Sequence, residues 1–508
     1  MRCFLGIDAG TSGVKAVVIN DSGRIVGDGY APCELITPKP NWAEQSPAGW
    51  WEACDKAVRQ AVAPGGFAKD IVSIGFSGQM QGLTLLDKDM KPVNNCIIWM
   101  DQRASAEADE LNARIPEDEI LKIAHNFCIP SYWAAKLVWL MRNRPEDYER
   151  THMILFPKDY LRYLITGEIA TEVSDASCSW LIDVKKRAWS DRMFDVVGVS
   201  KDIIPQTLLE SSDVAGYLLS DVAASWGVPA GIPVAAGGGD QPVGGVGSGI
   251  IESGMVTSVI GTSGVIFGCC EPPLADRKRR AMYSLCHSIP DKYAFLGCTL
   301  GAGGSYKWLR DTLFKEADDN SFAFMDSLAA RAPVGSEGLC FLPYMSGEGT
   351  PHVDSNARGT FFGLSYRHDR GAICRSVMEG VAFSLRDTIE ILRESTGLVV
   401  DEVRALGGGG KSPLWRQIQA DVYGASVLTM ETEEGPAVGG AILGAVAAGA
   451  HPTVEEACSA LLKTATVTEP IAENVKIYDD YYATYRSLYP ALKGIFASQA
   501  GIVARHSA

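Results

Sequence analysis

Apolar runs near the N-terminus alternate with short polar turns. Cys3–Ile7 and Val14–Ile19 are apolar, and the glycine-containing turn Asp8–Gly13 separates them. A second short turn, Asn20–Gly23, leads into Arg24–Val26. Such short connections require antiparallel pairing, whereas a dinucleotide-binding fold passes from its first strand into a helix. The pattern therefore predicts a sheet that opens with an antiparallel meander.

Helical and strand patterns alternate along the rest of the chain, which predicts an α/β protein. Apolar spacing predicts helices over Trp50–Val62, Lys136–Met141 and Pro413–Val422. Apolar runs bounded by turn residues predict strands over Ile71–Phe76, Leu83–Leu86, Cys96–Trp99, Gly231–Ala236, Met255–Ile260, Val265–Phe267 and Val403–Leu406. From Val454 onward the pattern is largely helical, and Ser498–Ala508 is expected to form a loose tail.

One pentapeptide occurs twice in a similar setting. The string GTSGV stands at Gly10–Val14 and again at Gly261–Val265, each time between two predicted strands. A repeat about 250 residues apart indicates two related domains, and 508 residues are too many for one compact core. We expect a boundary near the glycine-rich stretch Gly244–Ser253, with an N-terminal domain over 1–246 and a C-terminal domain over 247–508.

Composition and charge exclude several classes of function. The net charge of −15 argues against a nucleic-acid partner, because phosphate binding needs a basic face. The N-terminus lacks the apolar stretch of a signal peptide, and the best membrane candidate, Ala437–Ala450, is too short to span a bilayer. Thirteen cysteines without zinc-type spacing indicate reduced, buried thiols. We therefore expect a cytoplasmic protein with no membrane association.

Three glycine turns are candidates for binding a polyphosphate. They are Asp8–Gly13, Gly261–Gly264 and Gly407–Gly410. Glycine lets backbone N–H groups approach an anion closely, and threonine and serine add hydroxyl donors. The third turn is not a P-loop, because Ala405 stands where that motif requires its first glycine. Two hairpins, one from each domain, could hold a polyphosphate from both sides.

Two aspartates near these turns are candidates for the chemistry. Asp8 precedes the first GTSG by two residues, whereas Val259 holds that place in the second copy. Mg²⁺ bound with a nucleotide usually takes one or two carboxylates, and Asp8 suits that role. Asp240 follows three glycines at a strand end, where ligands of α/β folds gather. A base at such a position could accept a hydroxyl proton during phosphoryl transfer.

A polyol substrate would need amide and carboxylate groups to read its hydroxyls. The candidates lie at predicted strand ends, and each is individually as typical of a surface or structural polar group. They are Gln79, Gln81, Gln241 and the stretch from Trp99 through Asp101 to Arg103.

In combination these segments resemble the FGGY family of carbohydrate kinases, and within it most of all the xylulokinases. The resemblance covers Phe4 to about Tyr489, in the family's order. It is carried by IDAGTSGVK, NWAEQSPAGWW, SGQMQG, IIWMDQR, FPKDYLRYLITGE, GGGDQ, IGTSG, YMSGEGTPH, GTFFGLS and GGGGKSPLWRQIQAD.

The resemblance implies two ribonuclease-H-like domains of the actin and hexokinase type, with the active site in the cleft between them. It implies that Asp240 is the catalytic base, that Asp8 and Asp240 lie at the Mg²⁺, and that ATP binds mainly to the C-terminal domain. The sugar-side positions that it implies are Gln79, Met80, Gln81, Asp101 and Gln241. The nucleotide-side positions that it implies are Thr11, Ser12, Lys15, Gly261, Thr262, Gly303, Gly304, Gly409, Gly410 and Pro413.

Some residues depart from the family's usual pattern. Gln81 stands where relatives usually carry histidine, Met100 and Pro413 where they carry asparagine, and Gly349 where they carry arginine. The resemblance makes D-xylulose the first expectation, but D-ribulose, erythritol and glycerol stay open because Gln81 lies where the sugar is read. A homodimer is possible.

Two other functions fit parts of the sequence. An actin- or chaperone-like ATPase would share the hairpins but has no need of sugar loops such as SGQMQG and GGGDQ. A catalytically inactive sugar sensor has no need of both Asp8 and Asp240. We therefore expect an ATP-dependent sugar kinase with a small-molecule sugar as its partner.

Overall fold

The computed structural model describes residues 2–63, 65–275, 277, 282–314, 321–432 and 434–506. Its first half contains strands β1 Cys3–Ala9, β2 Gly13–Asn20, β3 Ile25–Pro32, β4 Glu44–Gln45, β5 Ile71–Gly78, β6 Thr84–Leu86, β7 Cys96–Ile97, β8 Met153–Leu155, β9 Thr171–Glu172, β10 Ile182–Asp183, β11 Ala188–Trp189, β12 Leu208–Leu209, β13 Val214–Tyr217, β14 Pro233–Ala235 and β15 Gly238–Gly239. The helices of this half are α1 Pro47–Val62, α2 Ser105–Ala113, α3 Glu117–Ile123, α4 Trp133–Asn143, α5 Pro145–Arg150, α6 Pro157–Thr166, α7 Val173–Ala176, α8 Asp191–Val197, α9 Ser220–Trp226 and α10 Asp240–Gly247.

The second half has its own set of strands and helices. The strands are β16 Met255–Ile260, β17 Gly264–Cys270, β18 Tyr283–Cys286, β19 Tyr293–Thr299, β20 Cys340–Leu342, β21 Thr360–Phe362, β22 Glu402–Gly407, β23 Ser426–Met430 and β24 Thr464–Thr468. The helices are α11 Gly303–Leu313, α12 Ser321–Ala329, α13 Arg370–Thr396, α14 Gly408–Lys411, α15 Pro413–Tyr423, α16 Gly435–Ala447, α17 Val454–Leu461 and α18 Ala472–His506.

The first large sheet begins with the meander that the sequence predicts. Strand β1 pairs antiparallel with β2, and β2 pairs antiparallel with β3. On its other side β1 pairs in parallel with β5, which is followed by β14 and then by the antiparallel edge strand β13. The apolar face of α1 covers this sheet, so the core of the first half lies between them.

The second large sheet repeats this arrangement. Strand β16 pairs antiparallel with β17 and in parallel with β22, and β17 pairs antiparallel with β19. Beyond β22 the parallel strand β23 and the antiparallel strand β24 complete one side. Each of the two sheets therefore has a set of antiparallel strands, two further parallel strands and one reversed strand, as the duplicated GTSGV segment indicates; the antiparallel set has three strands in the first sheet and four in the second, where β18 pairs with β19. This confirms the predicted two-domain α/β fold.

Two local predictions were wrong. The tail expected at Ser498–Ala508 is helical, because α18 continues to His506; residues 507–508 lie outside the described part of the chain. Good helix formers such as Ala500 and Ala504 extend it beyond the buried Phe496. The glycine-rich stretch that begins at Gly244 is not an open link, because its first four residues belong to α10.

The small residues of α10 and α16 let helices and strands meet at backbone distance. Helix α16 belongs to the second half of the chain but packs against β1, β5 and α10. A Cβ atom added to Gly75 of β5 would lie 1.9 Å from the carbonyl oxygen of Gly440. A Cβ atom on Gly247 would similarly lie 1.8 Å from the oxygen of Gly435. The apolar segment at Ala437–Ala450 thus contributes a buried helix, and no helix among the described residues is long and apolar enough to cross a bilayer.

Replacing a glycine of this contact should destabilise the fold. In Gly439→Ala the new methyl group would stand 2.0 Å from the Val243 oxygen, so α16 and α10 must separate. Overpacking of this kind costs about 1–3 kcal/mol or more. Gly494→Ala in α18 is the matched control, since nothing lies within 4 Å of its added Cβ atom. Thermal unfolding should show a lower Tm for the first variant and an unchanged or slightly higher Tm for the second; equal Tm values would contradict the close contact.

Candidate active site

The C-terminal ends of β1 and β5 bring Asp8 beside Ser77. These residues are register partners in the parallel pair, and Ser77 Oγ donates a 2.8 Å hydrogen bond to Asp8 Oδ1. Asp8 is partly buried, and desolvation raises its pKa to about 6. The Ser77 hydrogen bond lowers this pKa, while the nearby carboxylate of Glu434 raises it further. Asp8 therefore lies in a pocket that favours an additional positive charge.

Asp240 is held close to Asp8 by the neighbouring strand. The short strand β15 pairs with the end of β5 at Gly78, and Asp240 follows it as the first residue of α10. Burial raises the pKa of Asp240 to about 7, and the negative charge of Asp8 contributes to this rise. The backbone and side chain of Gln241 hydrogen-bond the carboxylate and lower its pKa. A carboxylate with a pKa near neutrality is suited to accept a proton at physiological pH.

The first glycine turn is fixed from several directions. The Thr11 hydroxyl accepts a 2.8 Å hydrogen bond from the indole of Trp99, and the Thr11 carbonyl accepts a 2.7 Å hydrogen bond from Gln45 Nε2. The carbonyl of Ser12 accepts hydrogen bonds from the Cys33 amide and from the Tyr30 hydroxyl. Carbonyl groups of the turn are thus directed into the protein and bound there.

Gln79 connects this turn to the loop that follows β5. Its Nε2 donates a 2.7 Å hydrogen bond to Gln45 Oε1, which also accepts from Trp50 Nε1 at 3.1 Å. Its Oε1 lies 3.5 Å from Thr11 Oγ1, and the side chain is buried. Both ends of the Gln79 amide therefore have protein partners, and its contact with a sugar remains a prediction.

Asp101 likewise lies in a buried network. It is 1% exposed, and its Oδ2 accepts from the Ala43 amide at 2.6 Å and from Arg103 Nη2 at 2.7 Å. The same guanidinium nitrogen binds Glu44 Oε1 at 2.8 Å, and the Arg103 carbon Cζ lies 3.7 Å from the ring centre of Trp42. This pairing supports the strand contact between β4 and β7, while a sugar contact by Asp101 remains a prediction.

Met80 lies beside a glycine that precedes Asp240, and Gln81 follows Met80 in the loop after β5. A Cβ atom on Gly239 would stand 2.6 Å from Met80 Cγ, so the Met80 side chain covers this glycine directly. Gln81 has a φ of 71°, which is unusual for a residue with a side chain. Its Nε2 lies 3.9 Å from Cys178 Sγ. The structure thus brings Met80, a predicted sugar-side residue, next to the glycine that precedes the predicted base.

The second glycine turn meets the start of α11. The amide of Gly304 donates a 3.0 Å hydrogen bond to the Thr262 carbonyl. A Cβ atom on Gly303 would lie only 2.5 Å from the oxygen of Gly261. Four predicted nucleotide-side residues therefore form one cluster, in which the first N–H groups of an eleven-residue helix lie beside the turn.

The third glycine turn packs against the same strand end. Gly407 pairs with Ile260 and has a φ of 71°. A Cβ atom on Gly409 would lie 2.6 Å from Ile260 Cβ, and one on Gly410 would lie 2.7 Å from the Ala405 oxygen. Pro413 is exposed at the first position of α15. The ends of β16 and β22 thus gather the remaining nucleotide-side candidates.

Lys15, a predicted phosphate-side residue, has two carboxylate partners. It is the register partner of Asp8 on β2. Its Nζ lies 3.0 Å from Asp28 Oδ2 and 3.3 Å from Glu434 Oε1. A phosphate at this position would compete with these two carboxylates for the ammonium group.

Sequence reasoning missed several residues of the site. Gln45 lies within the NWAEQSPAGWW segment, so the family resemblance offered a signal that composition and spacing did not. No sequence pattern points to Ser174, but its Oγ accepts a 3.1 Å hydrogen bond from the Gly239 amide. Asp175 accepts from the Gln81 amide at 3.2 Å. Both act across more than sixty residues of chain, a distance over which single-sequence patterns carry no information.

Comparisons with known proteins find carbohydrate kinases that match most of the chain. The N-terminal domain of the FGGY family of carbohydrate kinases matches residues 3–247, and its C-terminal domain matches residues 256–448. The xylulose kinase of Bacillus subtilis is 36% identical over 496 residues, which are 97% of this chain and 98% of that protein. The crystal structure of xylulose kinase from Rhodospirillum rubrum superposes with a TM-score of 0.90 at 28% identity, covering 98% of this chain and 100% of that one. The structure of gluconate kinase from Lactobacillus acidophilus gives a TM-score of 0.90 at 25% identity, over 98% and 99% of the two chains.

Neutralising Asp240 should stabilise the protein above neutral pH. The folded-state pKa of about 7 exceeds the ordinary value of 3.8, so the folded state binds the proton more tightly than the unfolded state. This carboxyl therefore costs stability progressively as the pH rises from about 4 to about 7, and the cost stays constant above that range. Asn mimics the protonated form, so Asp240→Asn should gain about 1–3 kcal/mol at pH 8 after allowance for partial exposure.

The measurement is the free energy of unfolding by denaturant at pH 5 and pH 8. The gain should be larger at pH 8. Asp109→Asn, at an exposed position of α2, is the control and should show no such pH-dependent gain. A gain for Asp240→Asn that is equal at both values would contradict the raised pKa.

Proposed function

Because this chain belongs to the FGGY family of carbohydrate kinases, we propose that it transfers the γ-phosphoryl group of ATP to a ketopentose, with D-xylulose as the first candidate. The family match itself establishes the enzyme class, a sugar kinase that uses ATP. Relatives named xylulose kinase that align with 97% of the chain support the choice of sugar. One structural observation carries the proposal: Asp240, whose pKa burial and the charge of Asp8 raise to about 7, directly follows Gly239, which lies against Met80 of the loop after β5.

Asp240 acts as the general base in this proposal. Its carboxylate accepts the proton of the attacking sugar hydroxyl, which becomes a better nucleophile toward the γ-phosphorus. The bond from the γ-phosphorus to the bridging oxygen of ADP breaks as the new bond to the sugar oxygen forms. Hydrogen bonds from Gln241 stabilise the ionised carboxylate before the transfer. The loop with Met80 and Gln81 holds the sugar so that the hydroxyl faces the base.

Mg²⁺ fits at Asp8 and Asp240. Burial raises the pKa values of both carboxylates, and the charge of Asp8 raises that of Asp240 further, so a divalent cation bound beside them would offset this unfavourable negative charge. Among the described residues no group of three or more His, Cys, Asp or Glu side chains could hold a metal alone. A Mg²⁺ ion that arrives with the nucleotide would keep phosphate and water ligands. When bound, Mg²⁺ neutralises negative charge on the phosphates.

The two hairpins hold the polyphosphate from opposite domains. Thr11, Ser12 and Lys15 belong to the first domain, proposed as 1–246, and Thr262 with Gly303 belongs to the second, proposed as 247–508. Gly409, Gly410 and Pro413 lie on the adenosine side of the second sheet. Closure of the cleft would exclude water from the γ-phosphate and limit hydrolysis of ATP.

Exposed apolar side chains in the second half of the chain support an assembly of two copies. The side chains of Phe362, Leu364 and Tyr366 are 48%, 62% and 112% exposed, and an apolar patch of this kind often mediates association. A homodimer in the cytoplasm is the arrangement we propose, and sedimentation velocity at micromolar concentration measures the oligomeric state.

Removing the base should abolish turnover while leaving binding intact. Asp240→Asn retains the shape of the side chain but cannot accept the proton, and general-base removal typically lowers the rate about 10²–10⁴-fold. Coupled ADP-release kinetics measure kcat, and calorimetry measures the affinity for sugar and nucleotide. Asp109→Asn, the same change at an exposed position of α2, serves as the control for handling and folding. A near-normal kcat in Asp240→Asn would refute the mechanism.

Gln81 should influence which sugar is preferred. A neutral imidazole offers one donor and one acceptor, whereas the amide offers two donors and an acceptor on a longer stem. A lost buried hydrogen bond costs about 1–3 kcal/mol, or roughly five- to 150-fold in kcat/KM. If D-xylulose is not the native sugar, Gln81→His should raise its kcat/KM relative to D-ribulose; if it is, the change should be small or favourable.

The measurement is an ADP-release screen over D-xylulose, D-ribulose, D-gluconate, erythritol and glycerol, in the wild type and in Gln81→His. D-xylulose should give the highest kcat/KM in the wild type. A clear preference for another compound would replace D-xylulose in the proposal. A ratio of D-xylulose to D-ribulose that is unchanged within about twofold in the variant would show that Gln81 does not read the sugar.

A further inference from the structure

We propose that Asp175 and Lys136 are positioning residues that clamp the backbone of Gln81, while Ser174 of the same short helix holds the glycine before Asp240. The inference rests on the proposed function because it concerns the sugar loop of that site. It assigns a role to buried charges that lie behind the groups expected to touch substrate.

Gln81 needs such support because its backbone is strained. Its φ of 71° lies in the left-handed region, where a side chain is disfavoured. Such conformations persist only where the surroundings determine them, and they cluster at functional sites. Without support the peptide would relax toward the ordinary region, and the amide side chain would turn away from Cys178.

The two polar atoms of the Gln81 backbone are bound by one acidic and one basic side chain. Its N–H donates a 3.2 Å hydrogen bond to Asp175 Oδ1, and its carbonyl accepts a 2.9 Å hydrogen bond from Lys136 Nζ. The side chains of Asp175 and Lys136 are fully buried. Lys136 also donates a 3.0 Å hydrogen bond to the Ile97 carbonyl, which ties the loop to β7. Charge-assisted hydrogen bonds in a dry interior fix orientation more strongly than neutral ones.

A second layer of charge holds Asp175 in place. Lys158 Nζ lies 3.5 Å from Asp175 Oδ2, 2.9 Å from Asp159 Oδ1 and 3.2 Å from Glu172 Oε1, and all four side chains are inaccessible to solvent. Glu172 caps α7 by accepting from the amides of Ser174 and Asp175 at 2.6 and 2.8 Å. The orientation of α7 is therefore set by a network of buried ionisable side chains. Burying such groups costs free energy of desolvation, which their pairing offsets only in part.

The same helix reaches the catalytic strand. Ser174 Oγ accepts a 3.1 Å hydrogen bond from the amide of Gly239, the residue before Asp240. A Cβ atom on Gly238 would lie 2.8 Å from this Oγ, so α7 and the strand pack too closely to admit a side chain at this position. Two consecutive residues of α7 thus set the position of the sugar loop and that of the base relative to each other. We infer that α7 fixes the distance from the sugar hydroxyl to the proton acceptor.

The first test replaces the charge that clamps the loop. Asp175→Leu removes the acceptor, and Asp175→Asn keeps an oxygen where Oδ1 stands. The KM for sugar should rise roughly five- to 150-fold in Asp175→Leu, recover in large part in Asp175→Asn, and leave the KM for ATP within about twofold. Lys136→Met should show the same split and keeps the proposal testable if Asp175→Leu does not fold.

A double-mutant cycle separates positioning from a general loss of stability. If Asp175 acts through Gln81, then in a Gln81→Ala background Asp175→Leu should change the sugar KM by less than about twofold. Equal effects in both backgrounds would overturn the inference, as would an unchanged sugar KM in both Asp175→Leu and Lys136→Met.

The second test concerns the base. Ser174→Ala should lower kcat at least about fivefold with little change in the sugar KM, because the hydroxyl that fixes Gly239 is lost. Ser179→Ala is the matched control: this buried serine of the next turn binds the Ala176 carbonyl and the Leu181 amide, outside the site. Equal kcat losses in the two variants would contradict a specific role for Ser174.

The assays use whichever of D-xylulose, D-ribulose, D-gluconate, erythritol and glycerol gives the highest kcat/KM in the wild type. A failure of D-xylulose as substrate would then refute the proposed sugar without affecting the test of Asp175. A normal wild-type rate with unaltered variants would refute the positioning role and leave the proposed function intact.

Discussion

The burial of two carboxylates, Asp8 and Asp240, is the constraint on which the rest of the site depends. Asp8 and Asp240 stand at the ends of two strands that both pair with β5, and burial together with the charge of Asp8 raises the pKa of Asp240 to about 7. Such a pair is unfavourable in a protein without cations, because burial disfavours both charges. The pair becomes favourable when a cation and an alcohol hydroxyl, which donates its proton, bind beside it. Phosphoryl transfer to an alcohol brings these two together. The cost in stability is thus the counterpart of the catalytic role that we propose for the pair.

The surrounding structure keeps this pair in place by close backbone contact. Helix α16 of the second half lies against β1 and β5, where glycines permit approaches that any side chain would block. Glu434, the residue just before this helix, forms an ion pair with Lys15, and its negative charge raises the pKa of Asp8. The two halves of the chain are therefore interlocked beneath the cleft, and the strand ends that carry the carboxylates are the fixed part of the site.

Much of this arrangement follows from sequence patterns, for physical reasons that differ between elements. The meander of β1–β3 was predictable because short turns allow only antiparallel neighbours. Asp240 stood out by its glycines, and Gly303 and Gly409 by the family resemblance. The tail after Ser498 was misjudged because weak amphipathicity hides a helix of good helix formers. The clamp on Gln81 could not be predicted, since Lys136 and Asp175 meet it only through tertiary contacts.

The most direct test of the account is a ¹³C NMR titration of the aspartate carboxyl groups in the ligand-free protein, with Asp240 assigned by loss of its signal in Asp240→Asn. The account predicts that Asp240 titrates near pH 7 and that its pKa falls in Asp8→Asn, because a neighbouring negative charge has been removed. A pKa near the ordinary 3.8, or one that Asp8→Asn leaves unchanged, would contradict the central role of the carboxylate pair.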